Sequence, residues 1–253
     1  MTGLEARLRA RIDADGAALV PYVTGGLPGV DAALLRRLEE AGADAVEIGI
    51  PFSDPVMDGP VIQEASQRAL AAGATPQSVL TMIEGAGIAA PVVMTYYNPI
   101  LAIGEDAFVA SSVRAGLAGV IVPDLPVDEG GAWRERALAA GVAPVFLAAP
   151  GTGETRLRLV AEASEGFVYC VARYGVTGGG KLEGTAHELV GALRGLTTKP
   201  LLVGVGISTP DQAKRAAEFA DGVVVGSAIV QHLLDDDQAG ALRLVERLRS
   251  ALG

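Results

Sequence analysis

Short apolar runs alternate along this chain with longer stretches whose apolar residues recur every three or four positions. The first pattern suits a buried strand and the second an amphipathic helix. Runs at 18–23, 45–48, 92–95, 119–122, 143–147, 167–171, 201–203 and 222–225 are the predicted strands. Helical spacing between them predicts helices over 31–41, 61–72, 106–115, 131–140, 155–163, 186–193 and 211–220. Several of these stop at an Ala-Gly pair, as at Ala41-Gly42, Ala72-Gly73 and Ala115-Gly116, where glycine accepts the left-handed conformation that ends a helix. A strand-helix unit repeated about eight times is the inventory of a (β/α)8 TIM barrel, more than a doubly wound open sheet usually holds. The predicted fold is therefore α/β, a single (β/α)8 barrel domain over residues 1–253. Leu4, Leu8 and Ile12, spaced by four, predict an N-terminal helix whose one apolar stripe caps the barrel floor. At the other end, Asp235, Asp236 and Asp237 precede a last helix and Arg243, Arg247 and Arg249 crowd its close, which suits the helix dipole.

Composition narrows the partners. Half of the residues are hydrophobic but only 4% are aromatic, so Ala, Val, Leu and Ile must build the core, and 33 glycines need positional uses. A net charge of −10 provides no basic footprint for nucleic acid or an anionic membrane, so any phosphate must be held locally. Cys170 stands alone, which excludes an intramolecular disulfide and a multi-cysteine zinc site and fits a reducing cytoplasm. The first ten residues mix charges where a secretory signal would be apolar. Residues 85–104 carry no charge, yet Pro91, Pro99, Asn98 and the Tyr96-Tyr97 pair interrupt them, so a strand and a following loop are expected there rather than a membrane span.

In a parallel barrel, chemistry sits where strands end and βα loops begin. The second of these is the richest, placing Glu47 among apolar strand neighbours and Asp54 and Asp58 in the proline-stiffened loop that follows. A glutamate in a strand of Ala, Val and Ile is costly unless it has a buried partner or a task. Asp-Pro and Asp-Gly are common turn dipeptides, so the two aspartates gain an acid/base reading only from Glu47 beside them. Gly204-Val205-Gly206-Ile207-Ser208 and Gly226-Ser227-Ala228 form loops seven and eight, each ahead of a candidate helix. Such loops hold phosphate through backbone N–H groups and a helix N-terminus, with no lysine required. Loop six, 172–181, is glycine-dense and suits a lid, with Asp124 at the end of strand four placed to bond it. Tyr22 and Tyr169 either line the barrel mouth or pack in the core. His187 and His232 fall in or near helices, and Lys181, Lys199 and Lys214 do not end strands, so neither a histidine metal site nor a Schiff base is indicated. Carboxylates are left as the acid/base candidates, and another phosphate-ester isomerase or synthase remains open on these residues alone.

Across nearly the whole length the chain resembles the alpha chain of tryptophan synthase. The resemblance rests on Pro21-Tyr22-Val23-Thr24-Gly25-Gly26, the 47–60 segment, Asn98-Pro99, Pro123-Asp124-Leu125-Pro126, Arg173-Tyr174-Gly175-Val176-Thr177-Gly178 and the loops after strands seven and eight. It implies a (β/α)8 barrel and a lyase that splits indole-3-glycerol phosphate into indole and glyceraldehyde 3-phosphate. By the family motif Glu47 matches the proton shuttle and Asp58 the carboxylate that holds the indole N–H. Tyr22 and Tyr96 match positions around the indole, and Tyr169 one near the reacting centre. Gly178, Gly204, Gly206, Gly226 and Ser227 match the phosphate cradle, Thr177 and Asp124 a lid contact, and Pro51 and Asp54 the face that meets the partner. That partner is implied to be a beta chain carrying pyridoxal phosphate, in an alpha-beta-beta-alpha heterotetramer. No cofactor or metal is implied for this chain.

Overall fold

The computed structural model describes residues 1–14, 16–171, 181–204 and 206–253, with the side chains of 181–184 excepted. Its strands are β1 (Ala18–Thr24), β2 (Val46–Gly49), β3 (Pro91–Met94), β4 (Gly119–Ile121), β5 (Ala143–Val145), β6 (Leu147–Ala148), β7 (Val168–Val171), β8 (Leu201–Gly204) and β9 (Gly222–Val225). All pair in parallel in the order β5-β4-β3-β2-β1-β9-β8-β7-β6. The first and last of these strands are separated only by Phe146 in the chain, so the sheet closes on itself as a TIM barrel. The single strand expected over 143–147 is thus two. The Phe146 N–H bonds the Ser164 hydroxyl at 3.2 Å instead of a neighbouring strand, and the chain changes partner there from β4 to β7.

The helices are α1 (Gly3–Ile12), α2 (Ala32–Glu40), α3 (Pro60–Ala71), α4 (Pro76–Ala86), α5 (Tyr97–Ile103), α6 (Glu105–Arg114), α7 (Gly131–Ala139), α8 (Glu154–Ala163), α9 (Lys181–Arg194), α10 (Pro210–Ala217), α11 (Ser227–Leu234) and α12 (Gln238–Leu252). Two of them depart from the sequence expectation. Thr75 and Ser78 form a reciprocal capping box that starts α4. The loop expected after β3 is α5: Pro99 falls on its third residue, where the missing N–H would have no helical partner anyway. Among the described residues no helix is long and apolar enough to cross a membrane.

Period-2 alternation sends Ala18 and Val20 of β1, Val92 of β3, Val145 of β5, Phe167, Leu202 of β8 and Val224 of β9 into one interior cluster. Leu4 and Leu8 of α1 join it and close the floor as expected, whereas Ile12 is only half-buried. A Cβ on Gly166 or Gly119 would lie 2.7 or 2.9 Å from a Leu4 methyl, so glycine at both sites makes room for the plug. A second cluster fills the space between strands and outer helices.

A charged knot ties both outer ends of the chain to the floor. Buried Asp44 accepts from Arg249 at 3.0 Å, from Arg11 at 3.1 Å and from the Leu19 N–H at 2.9 Å. Arg7 donates to the Asp44 carbonyl at 2.6 Å. Removing the shared acceptor strands the half-buried cations, so Asp44→Ala is expected to lower unfolding stability by about 3 kcal/mol. A denaturant titration giving less than a third of that would contradict the account. Asp237 accepts from the Gly240 N–H and caps α12 as its sequence suggested, and Arg249 donates both to Asp44 and, at 2.8 Å, to the Gly253 carbonyl that ends the helix.

Candidate active site

Strand order sets the site. Tyr22 of β1 pairs in register with Glu47 of β2, and both belong to the inward-facing set two residues above Val20 and Ala45. Tyr169 comes from β7 across the barrel and Asp58 from the loop between β2 and α3. At the C-terminal mouth they enclose a cavity of about 170 Å³, with Gly206, Gly226 and Ser227 on its rim and Met94, Ile121 and Leu147 among its apolar walls. Seven residues singled out in the sequence therefore meet at one place.

Glu47 is 1% exposed and its Oε2 has no hydrogen-bond partner. Burial, and next the Asp58 charge, push its carboxyl up to about 8, so it is neutral at pH 7. Asp58 is pushed up to about 6 by burial, with the Tyr96 hydroxyl working against the rise. The two carboxyls are therefore pushed up to different extents, which is how one site separates an acid from a counter-charge.

Tyr96 stands behind Asp58. Its hydroxyl donates to Asp58 Oδ2 at 3.2 Å and accepts from the Met57 N–H at 2.9 Å. The Phe52 ring stacks on it with centroids 5.1 Å apart. Tyr22, Tyr96 and Tyr169 are all held well above the ordinary phenol range, first by burial, so each is a neutral hydrogen-bonding wall.

Two glycines position the tyrosines. A Cβ on Gly49 would lie 2.0 Å from the Tyr22 hydroxyl, and one on Gly204 2.2 Å from that of Tyr169. Gly204, expected in a phosphate cradle, here surrenders its side-chain space to a ring. Gly49 escaped notice in the sequence, although a glycine inside a strand marks a close approach. Gly49→Ala must displace the Tyr22 ring, and is expected to cost about 1–3 kcal/mol of stability and roughly tenfold in turnover through misplacement. Unchanged stability and turnover would show that the ring yields freely.

The two loops expected to hold phosphate are not equivalent. Ahead of α10, Thr209 and Gln212 form a capping box, and Gln212 Oε1 takes the Ser208 and Thr209 N–H groups at 2.8 and 3.1 Å. Ahead of α11, Gly226 brings no side-chain acceptor; the Ile229 N–H turns back onto the Gly226 carbonyl at 2.9 Å, which leaves the Ser227 and Ala228 N–H groups as the ones suited to an anion. Gly206 holds φ at +88°, open to glycine, and lines the same cavity as Gly226 and Ser227.

The remaining expectations are placed elsewhere. Asp124 is exposed and accepts from the Tyr97 N–H at 2.9 Å. Pro51 is buried, while Asp54 is exposed beside Val56 and Met57, which are 79% and 56% exposed. Thr177 and Gly178, with the rest of 172–180, lie outside the described residues. Cys170 is fully buried, with its thiol pushed up to about 12, an inert core residue. No cluster of three metal-ligating side chains occurs among the described residues.

A profile of the family described as tryptophan synthase alpha chain matches residues 8–251. The tryptophan synthase alpha chain of Picosynechococcus sp. is 40% identical over 259 residues, covering 100% of this chain and 98% of its own. That of Streptomyces avermitilis is 45% identical over 242 residues, covering 93% and 87%. Among solved structures, the aminoacrylate-bound form of tryptophan synthase from M. tuberculosis matches with a TM-score of 0.92 at 35% identity, over 100% of both chains. Tryptophan synthase subunit alpha from Legionella pneumophila matches with a TM-score of 0.91 at 31% identity, over 100% of this chain and 98% of the other.

Proposed function

This chain belongs to the tryptophan synthase alpha chain family, and on that premise we infer that its barrel mouth splits indole-3-glycerol phosphate into indole and D-glyceraldehyde 3-phosphate in tryptophan biosynthesis. The observation that carries the reading is the pair of carboxyls on one apolar cavity, Glu47 buried with its Oε2 unpartnered and Asp58 held by the Tyr96 hydroxyl, with burial pushing Glu47 further up than Asp58. Glu47 gives its proton to indole C3, which turns the ring into an indolenine with positive charge on nitrogen. Asp58 accepts the ring N–H and offsets that charge. The Glu47 carboxylate then takes the proton of the side-chain hydroxyl as the carbon-carbon bond breaks. Its electrons return to the ring, the aldehyde forms, and Glu47 ends as it began.

Tyr22 and Tyr96 flank the indole and Tyr169 the reacting carbon. The phosphate rests on Gly206, Gly226 and Ser227 at the open α11 terminus, joined by Gly178, while Thr177 and Asp124 make the lid contact by family membership. Gly204 is assigned to this cradle as the seat of Tyr169. Every step uses carboxyls and backbone amides, so no cofactor is assigned to this chain. We assign the whole of 1–253 to one barrel domain working in the cytoplasm. Its partner is a beta chain carrying pyridoxal phosphate, in an alpha-beta-beta-alpha heterotetramer. The loop of Pro51 and Asp54 meets that partner, with exposed Val56 and Met57 adding apolar area. Turnover of indole-3-glycerol phosphate by the purified chain, alone and with a beta chain, tests this. Indole is expected in both and faster in the second; none in either would overturn the reading.

A further inference from the structure

Asp58 is held by a phenol, and that phenol sits at the start of a helix fixed from two sides. Tyr96 is the residue that precedes α5, and no side chain of its own caps the helix. The next residue, Tyr97, is pinned twice. Its N–H bonds Asp124 Oδ1 at 2.9 Å, and its hydroxyl donates to Glu105 at 2.7 Å. Glu105 is in turn 3.5 Å from Arg136. Asp124 comes from the loop after β4, the strand beside β3, and so ties the start of α5 to the next barrel unit. Through the Tyr96 hydroxyl this anchor reaches both Asp58 Oδ2 and the Met57 N–H, two successive residues of the acidic loop.

We propose that Asp124 is a positioning residue for Asp58, acting through the start of α5 and Tyr96 rather than by touching the substrate. The proposal rests on the assignment of Asp58 made above. Without the Asp124 acceptor, the first N–H of a seven-residue helix loses its side-chain partner and the helix start frays. Tyr96 then bonds Asp58 less well. A hydrogen bond to the ionised form is what keeps the Asp58 carboxyl from rising further, so its loss raises the pH at which Asp58 ionises.

The groups that face Asp58 are Glu47 from β2, Tyr22 from β1, Tyr96 ahead of α5 and Tyr169 from β7. Asp124 acts on Tyr96 by charge as well, and this gives the test its sign. Removing a negative charge alone lowers the Asp58 titration; releasing Tyr96 raises it.

The experiment is the pH profile of kcat/KM for indole release by the complex with the beta chain, for wild type, Asp124→Ala, Asp124→Asn and Asp58→Asn. In Asp124→Ala the rising limb is expected to move up by roughly one pH unit, which lowers kcat/KM about fivefold at pH 6. Asp124→Asn keeps an oxygen that accepts the Tyr97 N–H but loses the charge, so its limb is expected at or slightly below the wild-type position and not above it. In a Tyr96→Phe background Asp124→Ala is expected to shift nothing more. An unmoved or lowered limb in Asp124→Ala, or equal shifts in the Ala and Asn variants, overturns the proposal while leaving the reading of Asp58 intact. A rising limb that survives Asp58→Asn overturns that reading itself.

Discussion

Glu47→Gln is expected to lower kcat for indole release by about 10³-fold while leaving the barrel folded. Glutamine fills the same volume on β2 and offers the same shape to the cavity, but it can neither give a proton to C3 nor take one from the hydroxyl. The loss should fall on kcat, because the phosphate contacts at α11 and the tyrosine walls that bind the ground state are untouched. Stability adds an independent check. Wild-type Glu47 binds its proton more tightly folded, with the carboxyl near 8, than unfolded, at 4.5. The stability this contributes is fully present below pH 4.5 and is lost as pH rises through about 8. The Gln variant has no such proton to lose, so its denaturation midpoint should depend less on pH and should exceed that of wild type on the alkaline side. Turnover within tenfold of wild type would remove Glu47 from the chemistry.

Asp58→Asn is expected to lower kcat by about 10²- to 10³-fold, because an amide cannot offset the charge that develops on the indole nitrogen. It should also reshape the pH profile. The productive form has Asp58 ionised and Glu47 protonated, so kcat/KM rises with pH through about 6 and falls through about 8. The substrate's phosphate monoester titrates close to the first of these values, which makes the Asn variant the deciding control. Its profile should keep the falling limb and lose the rising one. Persistence of both limbs would assign the lower one to the phosphate and leave Asp58 without its role.

Much of this site was legible because it obeys a local rule. A carboxyl among β-branched neighbours, as at Glu47, and two glycine loops ahead of helices, as at Gly206 and Gly226, are visible without coordinates. What they do not disclose is which residues across the barrel meet them. Tyr169 is over 120 residues beyond Glu47, and only strand order brings them to one cavity. The inequality of loops seven and eight was likewise hidden, since it depends on Gln212 turning back onto Ser208 and Thr209. That Gly204 also seats the Tyr169 ring was hidden for the same reason. In the fold, the strand pattern was correct at the level of units but not at Phe146, where a side-chain acceptor on Ser164 diverts one N–H and splits a continuous apolar run. The helix after β3 was concealed by Pro99, whose disruptive reading holds only for a helix interior.

The knot at Asp44 sets an order of events during synthesis. Arg11 is 33 residues from Asp44 and Arg249 is 205. At roughly 5–20 residues per second, the carboxylate waits on the order of 10–40 s after its own synthesis for the second guanidinium, with Arg11 and the Leu19 N–H to hold it. The first strands can therefore gather early around α1, but the floor locks only when α12 arrives. A ribosome that pauses late in the message prolongs the time for which the floor stays unlocked.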